Sequence, residues 1–227
     1  KIQKIICVSN EVKKNFIPFI DAEKLEIVYP GIDVKKFENN KISTIKKNKK
    51  EFTVGIVSAL ETEKNIEEFI EIANKLLHQR NDITFVIIGD GSLKKMYENQ
   101  HSNLKFLGFQ QNIPQQLSKF DVFLFTSKNE GFGQVLLEAM AAKIPVVTNN
   151  FAAAHEIIAH EKTGYIYKSV DDAVSIIDKL LTNHNLRLTT TQNAFNFVQQ
   201  FDITLMNKKI ENIYNSIFTN HQLTNYK

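Results

Sequence analysis

The chain reads as an α/β protein built on a doubly wound, Rossmann-like parallel sheet, with helices added at its C-terminus. Two observations carry that expectation. Short apolar runs alternate with helix-period segments from residue 51 to residue 200, the pattern of strand-helix units that feed a parallel sheet. Several runs, among them Thr84-Phe-Val-Ile-Ile88 and Val122-Phe-Leu-Phe125, are apolar along their length rather than on alternate residues, as strands covered on both faces are.

In chain order, the spacing predicts strands at Lys4 to Ser9, Leu25 to Tyr29, Phe52 to Ser58, Thr84 to Gly89, Leu104 to Gly108, Asp121 to Thr126, Pro145 to Thr148 and Gly164 to Tyr167. Ile66, Phe69, Ile70, Ala73, Leu76 and Leu77 share one face of a helix that begins near Glu63,. Gly89-Asp90-Gly91 turns the chain into a helix from Ser92, and His155-Glu156 opens a short helical stretch. Val135, Leu136, Leu137, Ala139 and Met140 leave almost no polar face on the helix after Gly133, so that helix should be buried,. From Val170 onward the pattern is all helical, over Ala173 to Leu181, Leu186 to Gln200 and Ile203 to Phe218.

Pro30-Gly31 marks a turn, and the Lys, Asn, Ser and Thr content of Asn39 to Lys50 marks a linker,. Residues 51–200 then form one domain, 1–38 belong to another unit, and 201–227 hold a final helix. Leu205, Met206, Ile210, Ile213, Tyr214, Ile217 and Phe218 line one stripe of it, which needs a partner surface.

A chain of 227 residues, 43% of them hydrophobic, can bury a substantial core,. Its net charge of +3 is small, and the basic run Lys46-Lys-Asn-Lys-Lys50 contains no aromatic residue to stack on bases, so nucleic acid is not an expected partner,. Cys7 stands alone at the end of an apolar run and is expected to be buried; it excludes an intramolecular disulfide framework,. No run approaches the roughly 20 apolar residues of a membrane span, which points to a cytoplasmic protein. The first residues, Lys1-Ile-Gln-Lys-Ile5, lack Met and lead straight into a strand, as in a piece of a longer protein.

Chemistry concentrates at Glu130-Gly-Phe-Gly-Gln-Val-Leu-Leu-Glu138, directly after an apolar strand. Glycines let backbone approach a ligand, a helix N-terminus offers unpaired N–H groups to phosphate, and carboxylates accept hydrogen bonds from hydroxyls. Glu138 sits on an otherwise apolar helix, and a buried carboxylate needs a partner. Lys64 lies in the turn after Phe52 to Ser58, where a doubly wound sheet gathers its ligand loops; an ammonium there could neutralise a diphosphate, or could simply pair with Glu61 or Glu63. Gly89-Asp90-Gly91 fits a phosphate turn or a plain one. No Asp-x-Asp pair, paired His ligands, Gly-x-Ser-x-Gly elbow or P-loop occurs, so no metal site or cofactor is expected.

Together these residues resemble the C-terminal half of a GT-B glycosyltransferase of the family-4 retaining group. The resemblance runs through Val8-Ser9, Val28-Tyr-Pro-Gly-Ile-Asp33, Val57 to Lys64, Val86-Ile-Ile-Gly-Asp-Gly91, Phe106-Leu-Gly108, Asp121 to Ser127, Glu130 to Pro145, His155-Glu156 and Thr163-Gly164. It implies that residues before about 38 are the tail of an N-terminal acceptor-binding domain, that the last helix packs back onto that domain, and that the substrate is a nucleoside-diphosphate sugar, UDP favoured over GDP. Glu130 and Lys64 would carry the chemistry. Glu130 would hold donor hydroxyls, Glu138 the ribose, Lys64 the diphosphate, and the N–H groups of Gly131, Phe132, Gly133, Gln134, Val135 and Leu136 the sugar and phosphates. Ser58, Gly91 and Phe109 would complete the donor site. The acceptor, a glycan or lipid-linked glycan, would be bound mainly by the missing domain, which could also touch the inner face of the plasma membrane. Two departures stand out: Ser58-Ala59 occupies the place where such enzymes carry an Arg, and Asn65 replaces the Gly after the Lys. A folded donor-binding module without turnover is the alternative expectation.

Overall fold

A computed structural model describes residues 2–37 and 50–224, with side chains to residue 218. The expected linker and its basic run lie outside the described residues, apart from Lys50.

Two parallel sheets form. A small one pairs β1 (Ile5–Cys7) with β2 (Leu25–Ile27). Between them runs α1 (Asn10–Phe16), started by Ser9, whose hydroxyl accepts the Val12 N–H at 3.0 Å,. The large sheet has strands β3 (Phe52–Val57), β4 (Ile83–Ile88), β5 (Lys105–Phe106), β6 (Val122–Phe125), β7 (Val146–Asn149) and β8 (Tyr165–Tyr167), in the order β5-β4-β3-β6-β7-β8. Its pairings are all parallel. That is the Rossmann order, with the topological switch between β3 and β6, where such sheets open a crevice at the carboxyl ends of their strands.

Successive strand residues enter different cores. Val122, Leu124, Phe85 and Ile87 face the core beneath α2 (Ile66–Gln79), α3 (Lys94–Gln100) and α7 (Val170–Thr182). Phe123, Phe125, Val86 and Ile88 face the core beneath α4 (Ile113–Leu117), α5 (Gln134–Ala141) and α8 (His184–Val198). This is why the runs are continuously apolar, and each fully buried side chain contributes about 2 kcal/mol by desolvation. Cys7 is buried, as expected.

The elements follow the sequence reading with local differences. Strands shift by a residue or two at their ends. The helix expected near Glu63 begins as a single 3-10 turn, Thr62–Lys64, and becomes α2 only after Asn65. Two short helices, α1 and α4, had too few periodic residues to stand out. Within α6 (Ala154–Ile157), His155 is exposed while Glu156 is half-buried.

The last helix, α9 (Ile203–Thr224), starts against the N-terminal segment. Its Ile203 N–H donates to the Ile32 carbonyl at 2.9 Å, and the Gly31 N–H points to Met206 Sδ at 3.1 Å. A Cβ at Gly31 would lie 2.8 Å from Ile203 Cα, so the close approach requires glycine. Further along, Tyr214 and Phe218 of the apolar stripe are exposed.

Candidate functional site

Loops at the carboxyl ends of β3 and β6 meet at the switch point. The first follows β3 and carries Ser58, Ala59 and Lys64. Asn65 ends its 3-10 turn in the left-handed region (φ 51°, ψ 47°), a conformation glycine adopts freely and Asn tolerates. Asn65 stands at the N-cap position of α2 without a side-chain cap bond; its amide donates to Glu68 Oε2 at 2.7 Å and to the Thr126 carbonyl at 3.3 Å. The second loop follows β6 and is sewn to the first: the Thr126 hydroxyl donates to the Lys64 carbonyl at 3.3 Å, and the Lys128 N–H to the Glu63 carbonyl at 3.3 Å. Asn149 Nδ2, from the end of β7, donates to the Thr126 and Ser127 carbonyls at 2.9 and 3.0 Å.

This stitching brings Lys64 Nζ to 2.7 Å from Glu130 Oε1, with both side chains about one-fifth exposed. The alternative pairing of Lys64 with Glu61 or Glu63 does not form; Glu61 instead accepts from the Ser92 N–H and hydroxyl. An ion pair of this burial is stronger than a surface pair, yet close enough to solvent to exchange partners with an anion. Gly133 then takes φ 85° and ψ 52° to launch α5, a backbone that disfavours any other residue,. The turn from Glu130 to Gly133 thus joins the residue paired with Lys64 to the start of α5.

A cavity of about 540 Å³ is lined by Ser58, Ala59, Asp90, Phe109, Val135 and Glu138, among others. Phe109 presents its ring there and is 72% exposed. Glu138 reaches the cavity from the first turns of α5 with no hydrogen bond or ion pair to any described side chain, and burial pushes its carboxyl above the ordinary range. A desolvated carboxylate beside a cavity is a ready acceptor for paired hydroxyls.

Two expected donor contacts need correction. The Gly91 N–H is taken by Asp90 Oδ1 at 2.9 Å, and a Cβ on Gly91 would lie 2.5 Å from the Leu60 carbonyl oxygen. A Cβ on Gly89 would lie 1.8 Å from that of Ser58. These glycines admit backbone of the neighbouring loop, and only Gly89 and Asp90 of the three face the cavity. Leu136 is fully buried and its N–H is spent on the Gly133 carbonyl at 3.0 Å, so it offers nothing to a ligand. The Phe132 side chain is buried as well and turns toward Tyr29 and Phe201. The contacts of Glu156 and Asn149 escaped the sequence reading, because no local spacing announces a bond that spans loops far apart in the chain.

The family described as "Glycosyl transferases group 1" matches residues 37–197. The chain is 27% identical to the UDP-Gal:alpha-D-GlcNAc-diphosphoundecaprenol alpha-1,3-galactosyltransferase of Escherichia coli, over 96% of this chain and 61% of that protein. It is 25% identical to the capsular polysaccharide biosynthesis glycosyltransferase CapM of Staphylococcus aureus, over 93% and 61%. The chain thus spans about three-fifths of the length of these curated relatives. Among solved structures, Anabaena Alr3699/HepE in complex with UDP-glucose superposes with a TM-score of 0.82 at 25% identity, covering 94% of this chain and 64% of that one. With the Rossmann strand order and the family match over most of its length, this chain belongs to the group 1 glycosyl transferases, and its six-stranded parallel sheet and helices match GT-B glycosyltransferase structures.

Proposed function

We propose that this chain is the donor-binding half of a retaining hexosyltransferase that uses a nucleoside-diphosphate sugar, UDP-linked by preference, in the assembly of a bacterial surface glycan. One observation carries the reading: Glu138, desolvated and without a hydrogen-bond or ion-pair partner among the described residues, lines a cavity together with Val135 of the first turn of α5, and the turn that leads into this helix starts at Glu130, paired with Lys64. Ribose hydroxyls satisfy Glu138, the diphosphate meets Lys64 and the N–H groups of Gly131, Gly133, Gln134 and Val135, and Glu130 takes sugar hydroxyls. The base lies against Phe109. The relatives' named reactions, a galactosyl transfer to a diphosphoundecaprenol-linked sugar and capsule synthesis, favour a lipid-linked or glycan acceptor.

In the reaction, the bond between the anomeric carbon and the diphosphate oxygen breaks as the acceptor oxygen bonds to the same face of that carbon. The acceptor's proton passes to the departing phosphate. Lys64 and the α5 dipole stabilise the negative charge that develops, without a metal. Residues 1–38 belong to the acceptor-side domain, and the protein works in the cytoplasm against the inner membrane face.

Ala59 favours a second reading. With no guanidinium at this position, the site has fewer charge-assisted donors for the leaving group; each lowers a barrier by about 3 kcal/mol, roughly a hundredfold in rate. A chain that binds donor and transfers nothing by itself fits that deficit.

Titration calorimetry with UDP, GDP and ADP, guided by a thermal-shift panel of the same nucleotides and their sugars, tests the site. Glu138→Ala and Lys64→Ala should each weaken binding of the best diphosphate about tenfold, about 1.4 kcal/mol. Unchanged affinity in both variants would refute the assignment.

A further inference from the structure

The donor turn is anchored from outside its own domain. Glu130 at its start is committed to Lys64, and Gly131 and Gly133 have no side chains, so Phe132 is the one side chain that fixes the turn's middle. Its ring stacks on Tyr29 at 5.3 Å between centroids and 28° between planes, and Phe201 completes the cluster at 5.8 Å from Phe132 and 5.7 Å from Tyr29. A Cβ on Gly131 would meet Val8 Cγ2 at 3.4 Å and Val12 Cγ2 at 3.7 Å, which places α1 in van der Waals reach of the turn.

Tyr29 is itself held. Its hydroxyl donates to Glu156 Oε2 at 2.9 Å and accepts from Asn10 Nδ2 at 2.7 Å. The same carboxylate accepts the Asn10 N–H at 2.9 Å, Asn10 Nδ2 at 2.8 Å and, through Oε1, the Glu11 N–H at 3.1 Å. Glu156 therefore caps the first turn of α1 across a sequence gap of more than 140 residues. Although burial opposes its charge, the bonds from Asn10, Tyr29 and Glu11 hold its carboxyl below the ordinary range. Tyr29 shows the reverse: burial, with the Glu156 bond, pushes its phenol up to about 12, so the Tyr29 proton stays on the bond that joins them.

We infer that Glu156, Asn10 and Tyr29 form a clasp that sets the donor turn through the Tyr29–Phe132 stack, making Tyr29 a positioning residue for diphosphate binding. The inference rests on the donor-site reading above. It assigns the N-terminal segment a part in donor affinity although none of its residues lines the donor cavity. A structural role alone would lower stability and leave the ligand's two halves equally affected. Positioning acts selectively, because the turn meets the diphosphate while Glu138 and Phe109 meet the nucleoside.

The test measures, on this chain, the affinities of the best-bound diphosphate among UDP, GDP and ADP and of its own monophosphate. Tyr29→Ala should weaken the diphosphate about tenfold while the monophosphate changes less than about twofold, and Glu156→Ala should shift the ratio the same way by about threefold. Tyr29→Phe keeps the ring but loses the bonds to Glu156 and Asn10, so it should match Glu156→Ala, with a shift of about threefold. Equal loss of both ligands, or no loss, in a folded Tyr29→Ala or Glu156→Ala protein overturns the clasp while leaving the donor site standing. If Tyr29→Ala does not fold, Glu156→Ala decides alone. Failure of the unaltered chain to bind any of the three diphosphates overturns the donor site, and the clasp with it.

Discussion

At the start of β3, the Phe52 ring lies between two guanidinium groups, Arg80 at 5.6 Å and Arg187 at 5.4 Å; at the end of the same strand stand Ser58 and Ala59, facing Glu138 across the cavity. Charge is handled in opposite ways at these two ends. Arg80 bonds Asp82 at 2.7 Å and Asp178 at 2.6 Å. Arg187, only 3% exposed, donates to the Leu180 and Leu181 carbonyls at 2.7 Å each and closes the last turn of α7. Asp121 Oδ2 accepts the Thr53 N–H at 2.7 Å. At the ligand end, Glu138 is desolvated without compensation. The strand's beginning spends its polar groups on other described residues, while at its end Glu138 is left open to the cavity,.

The strongest way to break this contrast is at the satisfied end. Arg187→Ala removes two charge-assisted hydrogen bonds and the stacking on Phe52, so it should cost about 3 kcal/mol of stability in denaturant titration. Nucleotide affinity of the folded fraction should not change; a shared loss would mean that the two ends are coupled. At the ligand end, Ala59→Arg supplies the absent cation, and calorimetry should show diphosphate binding about tenfold tighter, about 1.4 kcal/mol. No gain would show that the site is complete without it.

The smallest effect sharpens the contrast most. Glu138 holds its proton to a higher pH in the folded chain than in the unfolded one, so its contribution is full below the ordinary carboxyl value and is lost as pH rises through the raised folded value. Glu138→Gln should therefore raise the thermal midpoint at neutral pH, flatten the decline of stability above about pH 4.5, and still weaken nucleotide binding. Parallel pH profiles for the two proteins would remove Glu138 from the role of unsatisfied acceptor.

Strand-helix alternation was legible because both cores recruit every residue of the central strands, and the same continuity made strand ends hard to place. The order of strands was not legible, since pairing across the switch point is decided between segments far apart in the chain. At the site, Lys64 and Glu130 stood out in polar turns after apolar strands, and Glu138 as a carboxylate inside an apolar helix. Gly91 stayed open between a phosphate turn and a plain one for a physical reason: a glycine that admits a phosphate and one that admits a neighbouring carbonyl leave the same mark in sequence. The Glu156 clasp was hidden by distance along the chain, although the Glu156 motif itself was visible.

The backbone contact of Gly89 with Ser58 and of Gly91 with Leu60 has a consequence for changing what this chain accepts. At 1.8 and 2.5 Å to a virtual Cβ, positions 89 and 91 have no room for a side chain, so substitutions there would cost folding before they altered choice. Adjacent in the same cavity, Phe109, Gln110 and Gln111 stand on a different loop, with Phe109 open to solvent. Diversification aimed at a new nucleotide would therefore leave Gly89 and Gly91 fixed and vary 109–111.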